Sequence, residues 1–373
     1  MLPALNIKIV KYMGGIPLRR KIAWLLVTVA FFLFLAACGG GNETSEDNNP
    51  EGDGKGEGSG KLVVYTARDQ TVVDKVVTMF NEKYPDIQVD VLTMGAQEIL
   101  ERVRGEQSNP GGDFWWGGTQ SAFMQAAEED LLEPYTPSFD DAIEPEHKDP
   151  EGRWYGEMLL PEVIMINSDV LDKETGPQDW DDLLDEKWKD EIIIRGVLPS
   201  GTMRTIYSAM IYRQDSNNPE PGYKWLEKLD ANTKEYAQDP TNLYLKLARQ
   251  EGTVSLWNLQ DILIQAHANN QPFDYIYPES GAPILVDAVG IIKEAKNKEN
   301  AELFYEFLFD KEVVAELSKE TFQIPSRTDI DVDAMPDWYR DLELKELELD
   351  WEVLAEKEME WMEYWDSNIK GQN

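Results

Sequence analysis

The 373-residue chain is poor in the residues that carry most redox and proton chemistry, with one cysteine and two histidines. A single cysteine, Cys38, excludes internal disulfides, so packing must hold the fold. No cysteine or histidine stands near it to complete a metal site. His147 lies in a polar, Pro-flanked loop and reads as solvated, and His267 reads as a helix-surface residue. Neither belongs to a nucleophile motif, and GxSxG, HExxH and the Walker phosphate loop are all missing. No catalytic residue, metal site or cofactor is therefore assigned. Positive charge is also scarce: 35 Lys and Arg stand against 71 Asp and Glu, for a formal charge of −36. Such a balance excludes nucleic acid as a partner and reads as solubility in a salty or alkaline exterior. Carboxylate pairs carry no catalytic signal in so acidic a chain, and no internal repeat is evident.

What is present begins at the N-terminus. Arg19, Arg20 and Lys21 precede an apolar run over residues 22–35, and Leu35-Ala36-Ala37 lead into Cys38. This is the pattern of a secretory signal ending in a lipoprotein cleavage box. The alternative is a retained membrane helix, but the 16 residues 22–37 fall short of the roughly 20 a spanning helix needs. Cleavage would remove five basic groups and no acid, taking the charge from −36 to −41. So acidic a surface repels anionic lipid, so lipid on Cys38 would hold the protein to the membrane, and two acyl chains do so stably. Residues 39–60, GGGNETSEDNNPEGDGKGEGSG, hold no side chain able to build a core. They read as a flexible acidic tether, suited to a Gram-positive surface more than to a periplasm.

From Lys61 the chain alternates strands and helices. Strands are expected at 62–65, 87–91, 113–116, 163–166, 192–195, 254–257 and 286–292. Helices are expected at 72–80, 99–103, 121–129, 180–188 and 203–212, and in most of the remainder, including an amphipathic stretch at 342–365. Alternation of this kind implies an α/β fold with a parallel sheet covered on both faces. The length allows two lobes, each with its own core.

Three strand-to-helix junctions share one design: Tyr65-Thr66-Ala67-Arg68, Trp116-Gly117-Gly118-Thr119 and Pro199-Ser200-Gly201-Thr202. Each places small or hydroxylated residues at a helix N-terminus, where free N–H groups and the helix dipole favour an anion. In an open α/β sheet, ligands sit beyond the carboxyl ends of the strands. Arg68 and Arg204 stand near two of the junctions, to neutralise a phosphate or carboxylate or, for Arg204, simply as a surface charge. Helix capping and tight turns explain the same residues without a ligand. Trp115 and Trp116 read as core rather than ligand walls. Trp257, with Asn258 and Gln260 after it, is a candidate wall. Tyr275, Tyr277, Glu279 and Asp287 mark a stretch able to face a cleft.

The segments LVVYTARDQ (62–70), GGDFWWGGTQSAFMQAAEEDLLEPY (111–135), LPSGTMRT (198–205), AVGIIKEAKNKENAELFYEFL (288–308) and IPSR (324–327) resemble one family. It is that of extracellular solute-binding lipoproteins of ABC importers, in the branch that holds binders of ferric iron, phosphonates and sugar phosphates. The resemblance implies a two-lobed periplasmic-binding-protein fold of type II, with solute held between lobes joined by hinge strands. The crossings fall near 160–167 and 284–289. It divides the chain into signal (1–37), lipidated Cys38 with linker (38–60), lobe 1 (61–160), lobe 2 (161–285), a return to lobe 1 (286–330) and a helical C-terminal segment (331–373). It implies a monomer that captures a small solute and passes it to a membrane permease, not an enzyme. Ligand contacts are expected from Thr66, Arg68, Gly118, Thr119, Ser200, Gly201, Thr202, Trp257, Asn258 and Glu279.

Iron-binding members coordinate metal through adjacent tyrosines, on a strand that matches 254–259 here. This chain has Leu256-Trp257-Asn258-Leu259 instead. Indole and amide are poor ligands for ferric iron, so an organic anion ranks above iron. For a cationic solute, Glu279, Asp261 and Asp287 would matter more than Arg68. A surface hydrolase is the alternative from another class.

Overall fold

The computed structural model describes residues 58–372. The expected signal, Cys38 and the tether as far as residue 57 lie outside the described residues. The strands are β1 (Gly60–Thr66), β2 (Ile87–Thr93), β3 (Phe114–Thr119), β4 (Leu132–Glu133), β5 (Tyr155–Asn167), β6 (Ile192–Arg195), β7 (Thr233–Ala237), β8 (Val254–Asn258), β9 (Phe273–Ile276), β10 (Ile284–Ile292) and β11 (Ile324–Pro325). The helices are α1 (Gln70–Lys83), α2 (Ala96–Gly105), α3 (Gln120–Glu128), α4 (Gly201–Gln214), α5 (Glu220–Asn232), α6 (Pro240–Ala248), α7 (Leu259–Leu263), α8 (Lys298–Leu308), α9 (Lys311–Thr321), α10 (Asp337–Arg340) and α11 (Trp351–Asn368).

The strands lie in the order β2-β1-β3-β10-β5-β8-β6-β7, with β4 beside β10 and both β9 and β11 beside β5. The parallel pairing expected from strand–helix alternation holds at the two ends, in β2-β1-β3 and in β8-β6-β7. It fails in the middle, where β10 is antiparallel to β3 and β5, and β5 is antiparallel to β8. The reason is topological. A strand–helix–strand unit returns the chain in its original direction, but β5 and β10 carry the chain between the two halves in opposite senses. β5 changes partners midway: residues 155–161 pair with β10, and 162–167 pair with β8 and β9.

Each half has its own apolar core. Val163, Ile164, Leu256 and Trp257 pack with α4, α5 and α11 in one. In the other, α1, α8 and α9 cover one face of β1 and β3, and α2 and α3 cover the opposite face. Phe80, Phe114, Phe304 and Tyr305 meet edge-on at 5.0–5.3 Å, each such pair adding about 0.5–1.5 kcal/mol beyond its buried area. Met158, Leu160 and Leu285 form a small separate cluster where β5 and β10 cross.

Several local expectations change. Residues 180–188 are helical but form two short 3₁₀ helices, Trp180–Leu184 and Glu186–Trp188, rather than one continuous helix. The Asp182 carboxylate ties down the N–H groups of Gln178 and Asp179 there. The C-terminal helix begins only at Trp351, capped by Asp350, after an extended segment. β7 falls in a stretch read as helical, whereas β9 lies in a stretch read as loop and strand. His147 is half-buried rather than solvated, and its Nδ1 has no hydrogen-bond partner.

Arg204 departs furthest from expectation. It is 4 % exposed, and its Nε donates to Glu358 Oε1 of α11 at 2.6 Å. Beside it, Tyr207 meets Trp365 edge-on at 5.2 Å. The pair fastens α11 onto α4, so Arg204 is neither a surface charge nor a ligand group. Removing one partner leaves an uncompensated buried charge, which typically costs about 3–5 kcal/mol. Glu358→Ala is expected to lower the unfolding free energy by about that amount in urea denaturation; a change within error would mean that the pair is not buried in solution.

Candidate functional site

Five helices of nine residues or more start around one cleft, at the carboxyl ends of strands from both halves. β1 leads through Arg68 to α1, β2 through Gly95 to α2, and β3 through Gly118 to α3. From the other half, Ser200 opens α4 and Asp239 opens α6. The cleft holds about 310 Å³, at the small end of solute sites. Met158, Leu160 and Leu285 form its apolar floor at the strand crossing.

The capping residues explain why these helices begin here. Thr119 Oγ1 accepts from Ala122 N, Ser200 Oγ from Met203 N, and Asn258 Oδ1 from Asp261 N. A capping hydroxyl uses its oxygen as acceptor and keeps its own hydrogen to donate. Thr119 and Ser200 thus offer O–H donors as well as helix starts. Gly95 caps α2 with no side chain at all.

The rims of the two halves touch. A Cβ on Gly95 would lie 2.6 Å from Pro199 O, and one on Gly201 would lie 2.7 Å from Thr119 Cγ2. Gly117 is required for a different reason. Its φ is +86°, and a Cβ there would press on Arg68 Nε at 3.0 Å.

Arg68 is buried between two carboxylates. Its Nη1 donates to Asp287 Oδ2 at 2.6 Å and its Nη2 donates to Glu157 Oε2. Trp116 Nε1 donates to the same Glu157 oxygen at 2.8 Å. The other oxygen of Asp287 accepts the Gly118 N–H. The expectation that Arg68 neutralises an anion is thus corrected: two carboxylates already claim its charge, and Gly118 has already spent its N–H. Burial pushes the Asp287 carboxyl up to about 6, against the pull of Arg68 and the Gly118 N–H.

Arg195 is the opposite case. It ends β6, lines the cleft and lies over the Trp257 ring at 5.7 Å. No carboxylate among the described residues pairs with it, and its buried Nε has no hydrogen-bond partner. Burial lowers its pKa, with Tyr244 and Asp261 opposing from a distance. A guanidinium half-removed from water without a counter-ion is an electrostatic vacancy for an anion.

Asp261 lines the same cleft as Arg195. Its Oδ2 accepts from Trp257 Nε1 at 3.1 Å, Asn258 Nδ2 at 2.9 Å and Tyr244 OH at 3.3 Å. Burial first, and then Asp69, raise its pKa.

Of the residues expected to bind ligand, Arg68, Gly118, Thr119, Ser200, Gly201, Thr202, Trp257 and Asn258 lie on this cleft. Thr66 sits behind the rim, where its Oγ1 accepts the Arg68 N–H and shapes the turn. Glu279 is not brought to the site: it is exposed, and its backbone N–H donates to Gln178 O. Tyr275 and Tyr277 also lie elsewhere, the first beneath Lys173 Nζ and the second bonded to Lys345 O. Trp115 and Trp116 are core. Arg195, Tyr244 and Glu162 were not singled out from the sequence. Arg195 had a readable signal, since it stands just after three isoleucines of a buried strand and just before a helix start.

Two half-sheets joined by crossing strands, with one polar cleft where they meet, define a two-lobed solute-binding protein. Residues 117–345 match the family of bacterial extracellular solute-binding proteins, over half of the chain, and the chain belongs to that family. It is 24 % identical over 306 residues to iron uptake protein A1 of Synechocystis, covering 78 % of this chain and 81 % of that one. It is 21 % identical over 287 residues to a probable ABC transporter periplasmic-binding protein of Sinorhizobium fredii, covering 76 % and 80 %. Among solved structures, the periplasmic binding protein AfuA of Actinobacillus pleuropneumoniae, with fructose-6-phosphate bound, superposes with a TM-score of 0.73 at 26 % identity, covering 83 % of this chain and 99 % of that one. The protein is the solute-binding component of an ABC importer and works outside the cytoplasm with a small solute and a membrane permease. Members of the family are transport proteins.

The Asp287 carboxyl supplies a test of this site. It keeps its proton to about pH 6 when folded and loses it at the ordinary, lower value when unfolded. Between those values the folded chain binds more protons, so this contribution to stability is lost as pH rises through the window. Measured against Asp287→Asn, wild type is expected to lose about 3 kcal/mol of unfolding free energy between about pH 4 and about pH 7. A difference that stays flat with pH would place the carboxyl in a solvated site.

Proposed function

We propose that the cleft captures an organic anion, a phosphorylated or carboxylated solute, for import. Arg195 carries this reading, as a cleft guanidinium with no carboxylate partner among the described residues. The α2 start and the free hydroxyl hydrogens of Thr119 and Ser200 support it, because they aim donors and positive helix ends at the same space. The apolar floor and the closely matched rims exclude water, which strengthens each of these contacts.

Ferric iron suits the cleft less well. Its one tyrosine, Tyr244, accepts from Trp257 Nε1 and donates to Asp261. Burial, and then Asp261, hold that phenol well above its ordinary pKa. No cluster of three His, Cys, Asp or Glu among the described residues is arranged to hold a metal. A surface hydrolase is disfavoured as well, since Glu157 and Asp287 are committed to Arg68.

The protein reaches its solute from a membrane, in this reading, through lipid on Cys38 and the tether that follows. The basic head, the apolar run and the small residues before Cys38 support this. Chain growth with labelled fatty acid is expected to label wild type and to leave Cys38→Ser unlabelled and released; label retained in the variant would overturn the anchor.

A thermal-shift panel of sugar phosphates, phosphonates, dicarboxylates and ferric complexes tests the solute class. For the anion with the largest shift, Arg195→Gln is expected to weaken binding by about 30-fold or more in calorimetry. Unchanged affinity in that variant, or a shift from ferric complexes alone, would overturn the anion reading.

A further inference from the structure

Placing an anion on Arg195 leaves negative charge in the cleft unaccounted for. Arg68 is already outnumbered by Glu157 and Asp287. Asp69 and Asp261 also line the cleft, with no cation paired to either among the described residues. A solute that is only an anion would meet these carboxylates with its own charge.

Two features on this acidic side point to a second group on the solute. The first is Asp261. All three of its side-chain donors converge on Oδ2, and Oδ1 accepts no hydrogen bond among the described residues. Asp261 is partly exposed and lines the cleft, so this oxygen is held in place by neutral partners and left open. The second is Glu162, which is fully buried with no hydrogen-bond partner on either oxygen among the described residues. It lies two and four residues along β5 from Leu160 and Met158, which form the cleft floor, so the strand's period of two turns its side chain to the same face. Burial, and then Asp261 and Asp287, raise its pKa well above the ordinary value. Thr202 pulls the other way without reaching either oxygen at hydrogen-bonding geometry. A buried carboxyl with no partner is costly unless something satisfies it.

We infer that the solute is zwitterionic, its anionic group held by Arg195 and an ammonium group held by the open oxygen of Asp261, with Glu162 behind it. This rests on the anion reading above and narrows it. The ammonium supplies the hydrogen-bond donors that Asp261 lacks on one side and offsets the excess of carboxylates. It also separates this cleft from one built for a sugar phosphate without an amino group, which would gain nothing from a second acidic wall.

The test uses the folded protein with matched probes near neutral pH. Glucosamine 6-phosphate is compared with glucose 6-phosphate and N-acetylglucosamine 6-phosphate, and phosphoethanolamine with ethyl phosphate. In at least one of the two sets the amino member is expected to bind about tenfold tighter or more, as a charge-assisted hydrogen bond provides. In Asp261→Asn, which keeps the size of the side chain, that preference is expected to fall below about threefold. Equal affinity within both sets would overturn the zwitterion and leave the anion reading standing. A preference that survives Asp261→Asn would overturn the assignment to Asp261. Binding of none of the phosphates, together with no response to the phosphonates and dicarboxylates of the thermal-shift panel, would overturn both readings. The comparison of probes on wild type needs no variant, so it decides the question even if Asp261→Asn does not fold.

Discussion

The buried Arg68 cluster is the constraint around which the site is organised. One guanidinium from the β1–α1 loop is held by Glu157 on β5 and Asp287 on β10, the two strands that carry the chain between halves. A buried charge is tolerated only when it is paired and hydrogen-bonded, and each partner here is itself anchored. Trp116 and Gln323 donate to Glu157, and Gly118 donates to Asp287. The β1 and β3 loops are thereby fixed to the crossing strands. The cluster also divides labour between cations. By consuming Arg68 it leaves Arg195, from the opposite half, as the cation able to receive a solute. In the proposed reading neither half binds the solute fully alone: one supplies the uncompensated charge, and both supply the rim.

Much of the fold was legible because it rests on local patterning. Val72, Val73, Val76 and Phe80 lie at helical spacing behind a capping aspartate, and they form the buried face of α1. Short isoleucine and valine runs read as strands because a strand covered on both faces has no polar side to show. The site was legible at its helix starts, where Gly, Ser and Thr cluster for reasons the backbone imposes. What escaped was long-range. The resemblance, not the local pattern, puts the crossings near 160–167 and 284–289; the antiparallel centre of the sheet depends on them, and no residue in Tyr155–Asn167 announces that pairing. Residues 342–350 carry a helix-like pattern but form no helix, with Glu346 bridging Ala282 instead, where packing overrides local preference.

The two arginines nearest the junctions show the same limit in electrostatic form. Arg68 and Arg204 looked available because each stands beside a helix start. Their counter-ions, Asp287 and Glu358, come from 219 and 154 residues away along the chain. Sequence locates a charge but says nothing of whether it is already answered. Arg195 reads as the end of a buried strand after three isoleucines, yet its significance lies in having no answering carboxylate among the described residues. Pairing is a property of the folded whole, and so is its absence.

The contact between rims has a further consequence. Where Gly95 meets Pro199 and Gly201 meets Thr119, little more than backbone and one methyl group touch. Such a seam buries small area and contributes little cohesion of its own. The halves are also joined by the shared strands β5 and β10 and by hydrogen bonds from Gln125 to Ala355 O and from Gln260 to Thr321 O, and a solute that bridges Arg195 and the β1–β3 rim would add to these ties. In the proposed reading, a solute that spans both walls adds its own contacts to this seam, so that a permease reading the joined rims would read the solute itself.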